Sequence, residues 1–103
     1  MAGKISMKIY KISNEVILAA ADYELSGKSI REGKLHITVS EEFYGNLRVP
    51  KNLFLESLEL CTIANLVGKF TVESAISAGF VERENVIFID GVPHCQYAKM
   101  MNK

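Results

Sequence analysis

Residues 49–79, VPKNLFLESLELCTIANLVGKFTVESAISAG, constrain the fold of this chain more than any other stretch. Val49 precedes Pro50, and a residue before proline is pushed toward extended geometry, so a strand or connector ends there. Pro50 suits a first helical turn, where its missing N–H is not needed, and Asn52 is an alternative cap. Phe54, Leu58, Cys61 and Ala64 recur at helical spacing, with Leu55, Leu66 and Val67 widening the apolar face. Gly68 stands as a left-handed stop, Thr71 as the next cap with Glu73 in its first turn, and Gly79 as the end of a short second helix. The pattern predicts two helices joined by a short turn, against which the rest of the chain packs.

The flanking segments read as strands. Ile5, Met7 and Ile9 alternate with Lys4, Ser6 and Lys8, Ser13-Asn14 supplies a turn, and Val16 to Ala21 is almost wholly apolar. That is a hairpin whose second strand is the more central. Asp22 is placed to cap a helical turn ended by Gly27, and KSIREGK follows as a charged turn. Leu35, Ile37 and Val39 alternate with His36 and Thr38, which predicts a third strand, and Ser40 caps a short turn that ends at Gly45. Near the C-terminus, Asn85 to Ile89 and a strand carrying His94 to Tyr97 flank Asp90-Gly91, a hairpin signal. Cys95 and Tyr97 share one face of that strand, His94 and Gln96 the other. The expected fold is α+β: a mixed or antiparallel sheet of about five strands with two helices packed on one face. Residues 1–103 form a single domain, 1–3 and 100–103 are expected to fray, and either Met1 or Met7 begins the folded part.

Twelve basic and twelve acidic residues cancel, which argues against holding nucleic acid by bulk charge but not against a local basic patch. Cys61 and Cys95 form no CxxC pair, so a disulfide scaffold is not indicated and the cytoplasm is the expected compartment. No apolar run is long enough to cross a membrane as a helix.

The residues that could carry chemistry are few. A zinc site is not expected, because His94 and Cys95 are consecutive in a strand and their side chains diverge. The same divergence argues against a His94–Cys95 dyad, and no phosphate loop or nucleophile signature appears. Neither a metal nor a cofactor is therefore expected, and the chain reads as a protein that is not an enzyme. Gly91 and Pro93 would hold His94 in place, and Asn65, polar within the apolar first helix, needs a partner if buried. With Asp22 or Glu42 they make a candidate polar pocket; the plainer reading is that each satisfies a nearby backbone group or solvent. Lys28, Arg31 and Lys34 cluster in KSIREGK and, with Arg48 and Lys69, are candidate contacts to RNA phosphates, while Tyr10, Phe43 or Tyr44 could stack bases. The plainer reading of KSIREGK is a solvated turn. Helix, turn, helix and hairpin is also the order of a winged helix-turn-helix, but TVESAISAG offers no base for reading a groove, so sequence-specific DNA is not an expected partner.

The phrases AAADYELSGK, IREG, VSEEFYG, TIANLVG and GVPHCQ, in this order from about Met7 to Met100, resemble a family of small archaeal proteins grouped as a domain of unknown function. The resemblance implies a cytosolic protein with a suggested RNA-binding role. Members of that family often carry Cys where this chain has Ala21, so a cysteine-based activity is in doubt here. Residues and resemblance together point to a small binding protein whose partner is RNA or a ribonucleoprotein. The alternative is a protein-interaction module or homodimer, and behind it a small enzyme with a pocket centred on His94.

Overall fold

The computed structural model describes residues 4–99. The expected fraying at 1–3 and 100–103 lies outside the described residues. The fold is α+β, built on a six-stranded mixed sheet and a separate two-stranded one. β1 (Ile5–Ile12) and β2 (Glu15–Asp22) form the expected hairpin, and Ser13 at its turn takes a φ of 55°. β3 (Ser29–Glu32) and β4 (Leu35–Thr38) form the small sheet. A short helix α1 (Glu41–Tyr44), the two-residue strand β5 (Arg48–Val49) and helix α2 (Lys51–Leu60) follow. Then come β6 (Ile63–Val67), helix α3 (Lys69–Ser77), and the closing hairpin of β7 (Ile87–Ile89) and β8 (Val92–Ala98). The large sheet runs β5-β1-β2-β6-β8-β7.

The long first helix expected from Pro50 to Val67 is corrected: it stops at Leu60, and Ile63–Val67 is a central strand. β6 pairs in parallel with β2 and antiparallel with β8. A strand covered on both faces shows no alternation of apolar and polar residues, so its run reads equally well as a buried helix. The helix–turn–helix arrangement does not exist. Six strands rather than five make the sheet, and KSIREGK is half of the β3–β4 hairpin, not a simple turn.

Two cores follow from the sheet's two faces. On one, Leu18, Ala20, Ala64, Leu66 and Cys95 pack against Phe54 and Leu58 of α2 and Val72 and Ala75 of α3. On the other, Ala19, Ala21 and Val67 meet Ile30 of β3, Val39, and Tyr44 of α1. Both longer helices lie on one face as expected; the opposite face is covered by the small hairpin and α1. Ser40 caps α1, accepting the amide of Phe43 at 3.2 Å. Ile5 is completely buried and paired, so the fold includes residues before Met7.

Candidate functional site

β2 and β6 lie side by side and run in the same direction, and the chain leaves their carboxyl ends toward opposite faces. From β2 it passes through Tyr23–Leu25 to the core containing Leu25 and Ile30; from β6 it enters α3 and the core containing Val72. When neighbouring parallel strands part in this way, a crevice opens outside their carboxyl ends, the usual location of ligands in sheets with parallel strands. A cleft of about 560 Å³ occupies that position here, lined by Lys4, Asp22, Tyr23, Glu24, Arg48, Lys69, Phe70 and Glu73.

Asp22 lines the crevice and packs against Gly68. Asp22 was expected to cap the turn that follows it, but it makes no such bond. Its carboxylate instead crosses to α3, accepting the amides of Phe70 at 3.1 Å and Thr71 at 2.7 Å and the Thr71 hydroxyl at 2.8 Å. Thr71, expected as the cap, is a donor within the first turn. Gly68 takes the capping position with a φ of 111°, and its carbonyl accepts the first helical bond from the amide of Val72 at 2.9 Å. A negative side chain thus meets the positive end of α3, where the first N–H groups have no partner within the helix.

The acids of the cleft are mostly engaged. Arg83 grips Glu73 with two hydrogen bonds of 2.9 Å. Those bonds hold the Glu73 carboxyl below its usual range, helped by the charges of Arg83 and Lys69 and opposed by desolvation. The pair is exposed and contributes little to stability, yet it occupies the carboxylate. The three cations are less committed. The Arg48 guanidinium lies 4.2 Å from the Tyr23 ring centroid, and the Lys4 ammonium 5.5 Å from that of Phe70. Among the described residues, Lys4, Arg48 and Lys69 make no ion pair. Asp22 is bound to the start of α3 and Glu73 to Arg83, so Glu24 is the acid in the lining without a bonded partner among the described residues, and with Arg83 the cations exceed the acids by one.

Of the five residues singled out as RNA contacts, Arg48 and Lys69 line this cleft. Lys28, Arg31 and Lys34 do not: they lie exposed on or beside the β3–β4 hairpin, with Arg31 opposite His36. Lys4, Tyr23 and Phe70 carried no local signal; pairing between distant segments brings them together. The aromatic candidates are engaged elsewhere. Tyr10 stacks on Phe43 at 5.5 Å, and the Tyr44 hydroxyl donates to Asn65 Oδ1 at 2.8 Å.

The four residues of the polar pocket are not assembled. Asn65 and His94 share the face covered by α1, on adjacent strands, whereas Asp22 falls in line with Leu18 and Ala20 on the other face. Glu42 is exposed on α1, and its backbone carbonyl accepts from the Tyr10 hydroxyl and the Lys8 ammonium. His94 Nδ1 sits 3.0 Å from the Leu66 carbonyl, and because that oxygen only accepts, Nδ1 carries the proton. Burial pushes the His94 pKa down, partly offset by that bond. Cys61 and Cys95 are buried and free, and burial raises both thiols. Among the described residues no group of three or more His, Cys, Asp or Glu could hold a metal ion, and no helix is long and apolar enough to cross a membrane.

A family model described as a protein of unknown function, DUF424, matches residues 10–100. The chain belongs to the DUF424 family. A crystal structure of a conserved, uncharacterised protein from Methanopyrus kandleri is similar to it, with a TM-score of 0.82 and 20% identity over 96% of this chain and 94% of that one. At that identity the likeness establishes a shared α+β fold and nothing finer. No curated protein matches this DUF424 chain.

Proposed function

We propose that this protein is a cytosolic, non-catalytic RNA-binding module that holds phosphates in the cleft at the carboxyl ends of β2 and β6. The observation that carries the reading is the surplus of positive charge there. Lys4, Arg48 and Lys69 face a crevice whose acids, apart from Glu24, are already bound to α3 or to Arg83. A neutral protein with one cationic cleft binds a few phosphates locally rather than coating itself along a duplex. The exposed Lys28, Arg31 and Lys34 offer a second, weaker approach for the strand. The scattered positions of His94, Asn65, Asp22 and Glu42 favour binding over catalysis.

Titration of short single-stranded RNA at two salt concentrations tests this. Three phosphate contacts give a slope of about −2 in log affinity against log salt, so binding falls roughly 15-fold between about 50 and 200 mM. Arg48→Ala with Lys69→Ala is expected to weaken binding by at least about tenfold and flatten the slope by roughly 1.4. Charge reversal of Lys28, Arg31 and Lys34 should cost less. Unchanged affinity in the cleft double variant would overturn the reading.

One observation favours a second reading, a homodimer. On the side of β1 away from β2, β5 pairs with Ile5 and Ser6 and Gly45 lies against the Met7 carbonyl, which leaves the end of the strand, with the exposed Ile9 and Ile12, as an open edge. Sedimentation showing a monomer at high protein concentration would remove it.

A further inference from the structure

We infer that the cleft prefers a phosphate monoester, the 5′-phosphorylated end of an RNA strand or a free nucleoside monophosphate, over the phosphodiesters within a strand. The inference rests on the proposed RNA-binding reading and narrows its ligand.

Charge is the first argument. With Arg83, which pairs with Glu73, four cations stand against the carboxylates of Asp22, Glu24 and Glu73, an excess of one positive charge, to which the positive end of α3 behind Asp22 adds. A phosphate monoester carries about −1.5 to −2 at neutral pH and three free acceptor oxygens, one for each of Lys4, Arg48 and Lys69. A diester carries a single negative charge and two free oxygens, so one of the three cations is left without an oxygen of its own.

Geometry is the second. The amides of Phe70 and Thr71 are bound to Asp22, so the start of α3 does not supply the phosphate's donors. The side chains must do so, and Arg48 is prepared for it. Its guanidinium lies 4.2 Å from the Tyr23 ring centroid, a cation–π contact that restrains the group. Tyr23 is therefore a positioning residue for a planar fork that can bind two oxygens of one phosphate together. Size is the third. A volume of about 560 Å³ lies within the range of sites that enclose one small molecule and is far too small for a duplex.

The test compares one short RNA oligomer with a 5′-phosphate, the same oligomer with a 5′-hydroxyl, and adenosine monophosphate. The 5′-phosphate is expected to tighten binding by about tenfold or more, as two charge-assisted hydrogen bonds would. Arg48→Lys keeps the charge but removes the fork and should lose most of that preference. Tyr23→Leu should shrink the preference, and Tyr23→Phe, which keeps the ring, should retain it. A preference of this kind lost in Arg48→Lys supports the inference. Equal binding of the two oligomers, still reduced by Arg48→Ala, overturns it and leaves the RNA reading standing. Monophosphate binding that needs Arg48, without oligomer binding, supports the monoester site and overturns the RNA reading. Absence of all three overturns both.

Discussion

Asp22→Ala is expected to destabilise the protein by about 3 kcal/mol, because it strands buried donors that a carboxylate now satisfies. Asp22 is 5% exposed and Thr71 is fully buried. Removing the carboxylate leaves two amides and a hydroxyl without their acceptor and takes a negative charge from the positive end of α3. Loss of an ordinary helix cap costs about 1 kcal/mol; burial and the third bond raise the cost here. For a domain of this size the loss corresponds to a fall in Tm of some 12–20 °C. Asp22→Asn retains acceptor capacity and should lie between the two. A Tm for Asp22→Ala within about 2 °C of the parent would mean that the carboxylate does not support α3.

Gly68→Ala is expected to cost a similar amount, about 2–4 kcal/mol, by a different route. Gly68 has a φ of 111° and a ψ of 149°, a region that residues with a side chain rarely enter. An added Cβ would also stand 2.5 Å from Oδ1 and 2.7 Å from Cβ of Asp22. The chain must reach that conformation to swing α3 onto Asp22, so relief of the clash pulls the cap apart. Gly27 supplies the control. Its φ is also positive, at 82°, but nothing lies within 4 Å of an added Cβ. Gly27→Ala should cost only the backbone strain, about 1 kcal/mol. Thermal unfolding of the two variants side by side separates strain from crowding; equal losses would contradict the close packing of Gly68 on Asp22.

Local rules located the elements whose structure is decided locally. The Asp90-Gly91 turn is a hairpin with φ values of 51° and 81°, and the alternation in β1 together with the apolar run of β2 was enough to pair them. Ser40 caps its own helix. What was not legible depends on residues far apart in the chain. Thr62, Ile63 and Val67 are β-branched and favour a strand, yet the spacing of Cys61 and Ala64 from Phe54 and Leu58 imitates a helical face, and only the parallel neighbour β2 decides between the two. The cap of α3 lies nearly fifty residues away on Asp22. For the same reason Arg48 and Lys69 could be named as candidate phosphate contacts, but not as members of one cleft with Lys4, Tyr23 and Phe70. The alternation from Leu35 to Val39 marks β4, but its partner β3 is not legible, because Ile30 is the one buried residue in it, too little for an alternating pattern.

The most direct test of the account is to titrate isotopically labelled protein with a short 5′-phosphorylated RNA and follow its backbone amide resonances. The largest shifts are expected at Lys4, Tyr23, Arg48, Lys69 and Phe70, with smaller ones at Lys28, Arg31 and Lys34. Shifts confined to the β3–β4 hairpin or to the outer edge of β1, with the cleft silent, would contradict it.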